Sequence, residues 1–147
     1  MKPKTSPADH ALALVRRRMK RSRLSVLLGF VPQSIAKGRA VLYMDVTERH
    51  RQIHDVVHGG VLAALADTAA AIAAYTAVPE GTEIVTIELK INYLVPVPRG
   101  RIRAEATVLR AGRNFVVTEC EIRTQENTLA AKALLTFGAA GGFSLQR

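Results

Sequence analysis

Apolar and polar positions follow two different periods along this chain. From His58 to Val78 the sequence HGGVLAALADTAAAIAAYTAV is apolar at nearly every position and carries one charge, Asp67. Alanine, the best helix former, fills half of the apolar run, and neither Gly nor Pro interrupts it between Gly60 and Pro79. Those features predict one long helix, stopped by Pro79 with Gly81 just beyond. A helix apolar on every side belongs in a core. A membrane span is the other use for such a run. It is excluded here because alanine contributes little to insertion, a central aspartate costs about 2.5–3.5 kcal/mol, and no basic flanks mark the ends.

Elsewhere the period is two. Alternation predicts strands over Arg39–Thr47, Ile84–Tyr93, Ile102–Leu109, Asn114–Thr124 and Leu129–Phe137. In the second of these it places Val85, Ile87, Leu89, Ile91 and Tyr93 on one face, against Thr86, Glu88, Lys90 and Asn92. Turn residues at Pro96–Gly100, Gly112 and Gln125–Asn127 separate the last four strands, which predicts a meander of antiparallel neighbours. Such a sheet, apolar on one face, curls around a helix that is apolar all round. Two shorter features precede it. Ser6-Pro7-Ala8-Asp9 opens a helix with an apolar stripe of Ala8, Leu12, Val15 and Met19, and Leu24–Phe30 forms a helical turn or a pocket wall. The glycine-rich tail after Gly138 is expected to fray.

Asp67 falls two turns inside the long helix with no opposite charge near it in sequence. A buried carboxylate must be paired, hydrogen-bonded or protonated, and chemistry is the usual reason to keep one. A carboxylate that caps a loop or bridges a subunit contact is the structural alternative. His58-Gly59-Gly60 opens the same helix. Glycines there expose backbone N–H groups at the positive end of the helix dipole, the makings of an oxyanion hole. His58 and Asp67 are nine positions apart, about 13 Å along a helix. They cannot meet on one substrate atom within one chain, so a site using both joins two copies.

Length and composition describe one domain with a normal core: 147 residues, 48% hydrophobic and 22% charged. The net charge of +9 is uneven. Residues 1–25 hold eight Lys or Arg against Asp9, while the remainder holds thirteen against eleven acids. The basicity therefore belongs to an N-terminal helical arm over 1–25, set against a domain over 26–147. Its stripe can dock on the domain or on a second subunit, and its arginines can instead meet a phosphate-rich ligand or a membrane surface. Nucleic-acid binding would rest on that arm alone and is not expected. No secretory signal follows the charges, although an organelle-targeting peptide shares the Arg-rich amphipathic pattern. One cysteine, Cys120, on the apolar register of its strand, excludes an intrachain disulfide and reads as a small core residue. It fits a reducing, cytoplasmic setting. His50, His54 and His58 recur every four residues, but a polar loop and two glycines break any shared helical face, so no metal site is predicted.

Strand–helix–four-strand order, HGG at the helix start, Asp67 nine residues later and the strand IELKINYLVPVPRG together resemble the hotdog-fold acyl-CoA thioesterases. Within them the phenylacetic-acid-degradation, or PaaI-like, branch is the nearest, over roughly residues 38–138. The resemblance implies an α+β hotdog fold: an antiparallel sheet wrapped around one long central helix, here with an extra N-terminal helix. It implies hydrolysis of an acyl-CoA thioester without a cofactor, in a homodimer or dimer of dimers with active sites at the subunit interface. Asp67 takes the catalytic carboxylate's position, as general base or nucleophile. Gly59 offers the oxyanion N–H, with His58 and Gly60 in the same turn. Gln52 stands where the family usually has Asn, and Thr86 matches a Ser/Thr position near the reacting centre. The phosphates of CoA need cations, for which Arg110 and Arg113, with Asn114 beside them, are the candidates. A non-catalytic acyl-CoA-binding module and a hotdog dehydratase or hydratase are the competing functions.

Overall fold

The alanine run folds as expected into a long helix, α3 (Gly59–Tyr75), in a computed structural model that describes residues 7–140. The expected Ser6 cap, the segment before it and the tail beyond 140 lie outside that range. α3 stops before Pro79 is reached. The Thr76 hydroxyl donates to the Ala73 carbonyl (2.7 Å) and accepts the Gly38 N–H (2.7 Å), which ties the helix end to the sheet. Leu62, Leu65, Ala66, Ala69, Ala70, Ala73 and Ala74 form its buried stripe.

Six strands make one antiparallel sheet: β1 (Val31–Ala36), β2 (Arg39–Asp45), β3 (Glu83–Tyr93), β4 (Arg101–Ala111), β5 (Phe115–Thr124) and β6 (Leu129–Ala140). Its concave face supplies Leu42, Met44, Ile102, Val116, Cys120, Ile122 and Leu135, all fully buried, against α3. Small alanines on the helix let the sheet approach it closely, and the two together form a single core.

Three sequence expectations need correction. β1 was not foreseen: it is short, and Pro32 removes a ladder donor, which is tolerable only because β1 is an edge strand. The four later strands are not a simple meander. The order is β1-β2-β4-β5-β6-β3, so β3 pairs with β6 and lies at the far edge from β1. Pro96 and Pro98 keep the 94–100 connection extended rather than tightly turned, and it crosses the end of the sheet to β4. Finally, a bulge between Thr86 and Glu88 breaks the alternation of β3. Thr86 pairs with inward-facing Phe137 and shares the helix side with Leu89, Ile91 and Tyr93, while Ile87 folds outward over Gly138.

Ahead of the sheet, α1 (Pro7–Met19) packs Leu12, Val15 and Met19 against the core beside β1, and Arg16 donates to the Pro32 carbonyl (3.2 Å). Arg17, Arg18 and Lys20 stay exposed. α2 (Arg23–Leu28) fills the stretch expected to be a helical turn. Ser22 caps its start and Gly29, at φ 68°, closes its end in the left-handed conformation that glycine adopts without strain.

Candidate active site

His58 caps α3. Its backbone is extended (φ −62°, ψ 134°), and its Nδ1 accepts the Gly60 N–H at 2.8 Å. An accepting Nδ1 in a neutral imidazole places the proton on Nε2, so the ring presents an N–H donor outward. The cap is anchored from behind, where the His58 N–H donates to the His50 carbonyl (2.8 Å). His50 itself is buried, with Nδ1 accepting the Thr47 N–H (3.0 Å), and burial holds its imidazole below its usual pKa.

The Gly59 N–H meets no acceptor among the described residues. It sits at the first position of the helix, where the dipole favours negative charge. The Gly59 carbonyl accepts the Tyr93 hydroxyl at 2.8 Å, and the tyrosine ring lies so close that a Cβ at position 59 would stand 3.0 Å from it. Any side chain here would have to push the tyrosine ring aside. Beside this turn lies a cleft of about 320 Å³ walled by Val57, Leu62, Tyr93, Leu94 and Val97.

Asp67 is half-buried on the second stripe of α3, and the Thr86 hydroxyl donates to its Oδ1 at 2.8 Å. It makes no ion pair among the described residues, and its Oδ2 has no protein partner there. Thr86 owes this position to the β3 bulge. β3 thus runs along α3 and gives it two hydroxyls: Thr86 to the carboxylate, Tyr93 to the glycine turn.

Other predicted site residues are more scattered. Gln52 lies half-buried in the tight loop before His58, its Oε1 accepting the His54 N–H (2.9 Å), with Asp55 at φ 58° completing the turn. That leaves the Gln52 amide N–H₂ for other acceptors. Arg110, Arg113 and Asn114 are exposed around the β4–β5 turn. That hairpin packs on Gly38 and hence beside Thr76, at the opposite end of α3 from His58. Cys120 is buried and its thiol is pushed up to about 12 by desolvation, which makes it an inert core group. No cluster of metal-ligating side chains forms among the described residues. Tyr93 was missed as a site residue. Its sequence signal was an aromatic hydroxyl ending a strand inside the K-x-N-Y-x-x-P stretch.

An antiparallel sheet wrapped on one central helix, with a further helix ahead of it, defines a hotdog-fold protein. The thioesterase superfamily model matches residues 54–131, more than half of the chain, and the chain belongs to that family. It is similar to the 1,4-dihydroxy-2-naphthoyl-CoA hydrolase of Listeria monocytogenes, at 30% identity over 72% of this chain and 86% of the relative. The thioesterase HI1161 of Haemophilus influenzae superposes with a TM-score of 0.85 and 29% identity, over 92% of this chain and 94% of that one. The E. coli PaaI protein from the phenylacetic acid degradation operon follows at TM-score 0.79 and 29% identity, over 90% and 96%. The chain is a thioester hydrolase of this fold, and no described helix is long and apolar enough to cross a membrane.

Proposed function

We propose that the protein hydrolyses acyl-CoA thioesters at a site shared by two copies of the chain, with His58-Gly59 of one subunit facing Asp67 of the other. The observation that carries this reading is the division of α3: a free N–H at its start, on Gly59, and a carboxylate without an ionic partner eight positions on, about 12 Å away along the axis. Attack on a thioester carbonyl builds negative charge on its oxygen, and the Gly59 N–H, reinforced by the outward His58 Nε2–H, receives that charge. Asp67 removes the proton from the attacking water as general base, or attacks the carbonyl carbon to give an anhydride that water then opens. The Thr86 hydroxyl on Oδ1 fixes the carboxylate and leaves Oδ2 for either step. In both routes the carbon–sulfur bond breaks and coenzyme A departs as a thiolate, a better leaving group than the alkoxide of an oxygen ester. Gln52 orients the substrate or the water through its free amide N–H₂, and Arg110 and Arg113, with Asn114, contact the CoA phosphates.

The His58 tautomer weighs against a dehydratase, because the nitrogen that could act as a base already accepts the Gly60 N–H. The names of the relatives point the same way: one acts on 1,4-dihydroxy-2-naphthoyl-CoA, and another, from Klebsiella pneumoniae, is the proofreading thioesterase EntH.

A panel of aliphatic and aromatic acyl-CoAs, assayed for released thiol with wild type and Asp67→Asn, tests the reading. Turnover by wild type that falls at least about 100-fold in the variant supports it. Binding without turnover across the panel replaces it with the non-catalytic module, and formation of an enoyl thioester replaces it with the dehydratase. Label found in Asp67 after hydrolysis in ¹⁸O-water under single-turnover conditions identifies an anhydride opened at the aspartyl carbon, because general-base attack puts the label in the released acid alone.

A further inference from the structure

We infer that Tyr93 is a positioning residue for the oxyanion donor, a role that rests on the proposed thioesterase site. Two adjacent glycines, Gly59 and Gly60, are the most pliable stretch of backbone that a chain can offer. A donor carried on such a turn stabilises charge well only if its direction is fixed before the reaction. The surrounding hydrogen bonds do fix it. The His58 N–H is tied to the His50 carbonyl (2.8 Å), and the His58 carbonyl accepts the Val61 N–H (2.9 Å). The Gly60 N–H is held by the His58 imidazole (2.8 Å). The Gly59 carbonyl is held by the Tyr93 hydroxyl (2.8 Å), delivered from a strand 34 residues away. Each peptide group next to the glycines is therefore secured, and the Gly59 N–H is the donor left over.

Tyr93 is the part of this arrangement supplied by the sheet rather than by the turn and its own loop. The ring is half exposed, so core packing does not account for its placement; its contact with Gly59 does. With the hydroxyl removed, the Gly59–Gly60 peptide keeps the His58 bond on its N–H side and the helix's own bond on its carbonyl, and loses the tie that fixes this first turn against β3. The neighbouring Gly59 N–H then samples directions away from the substrate oxygen.

Tyr93→Phe keeps the ring and deletes only the hydroxyl. Its kcat on the best acyl-CoA of the panel is expected to fall about tenfold, a fraction of the 100- to 1,000-fold cost of losing an oxyanion donor outright. KM is expected to stay within about twofold, and so is the Kd for a non-hydrolysable S-alkyl-CoA thioether, which has no carbonyl oxygen to be held. That split supports the inference. A kcat within twofold of wild type, or a loss that appears in KM and thioether affinity instead, overturns it and leaves Tyr93 as a wall of the cleft. Asp67→Asn, run alongside, separates this failure from that of the site itself. A dead Asp67→Asn beside an unimpaired Tyr93→Phe rejects only the positioning role, whereas a wild type that releases no CoA rejects both.

Discussion

α3 carries two stripes with the same helical spacing and opposite duties. Leu65, Ala66, Ala69, Ala70 and Ala73 face the sheet and are fully buried. Ala64, Asp67, Thr68 and Ala71 lie on the other side and are half-buried in the single chain. The first stripe is sealed by five strands of its own sheet. The second meets β3 at the carboxylate, where Thr86 donates to Asp67. Burial on one side holds the helix in place, and that rigidity lets the other side keep an unneutralised carboxylate at a fixed position. On the proposed mechanism, stability and chemistry are thus separable on one element.

Substitutions on the two stripes should therefore fail in different ways. Leu65→Ala opens a cavity in the sealed stripe and is expected to cost about 2–5 kcal/mol of stability. The activity of each folded molecule should hardly change, as read by denaturant unfolding beside kcat. If instead its kcat falls as far as that of Asp67→Asn, the two stripes are not independent. Asp67→Asn should do the reverse, losing at least about 100-fold in turnover with a melting temperature close to wild type. Thr86→Val removes the hydroxyl from the Asp67 Oδ1 while keeping the shape, and about a tenfold fall in kcat is expected from losing one hydrogen bond to a charged group. An unchanged kcat would mean that the carboxylate orients itself. The smallest effect belongs to the Arg110→Ala, Arg113→Ala double variant. It should raise KM for acyl-CoA about three- to tenfold with kcat preserved, and barely affect a pantetheine thioester that lacks the nucleotide phosphates.

How legible these features were in the sequence depended on the range of the interactions behind them. α3, its glycine start and its solitary aspartate could be read directly, because helix period, alanine content and a lone charge are local signals. The core strands followed from alternation, and Cys120 lies buried as its register implied. The face of Thr86 was read the wrong way round because one extra residue, Ile87, bulges out of β3 over Gly138, and alternation cannot register a bulge. β1 went unread because six residues with a proline give little periodic signal. The place of β3 at the sheet edge, and with it the Tyr93–Gly59 contact, depends on pairing with β6 between partners 38 to 57 positions apart, from Tyr93–Ala131 to Glu83–Ala140. Asn114 and the two arginines beside it were chosen by charge and turn chemistry, and their position at the far end of α3 came only with the fold.

A mixed dimer tests the shared site most directly. Gly59→Pro deletes the proposed donor N–H at the first helix position, where proline fits the backbone after the extended His58; its ring displaces Tyr93, which serves the same half of the site, so the pairing with Asp67 is still what the mixture reads. Asp67→Asn deletes the carboxylate. Each homodimer should be nearly inactive. Unfolded and refolded together in equal amounts, the two variants should recover about a quarter of wild-type activity, because half of the dimers are mixed and one of their two sites is intact. If the mixture stays as inactive as its components while mixed dimers form, Gly59 and Asp67 do not act across the interface and the proposed mechanism is wrong.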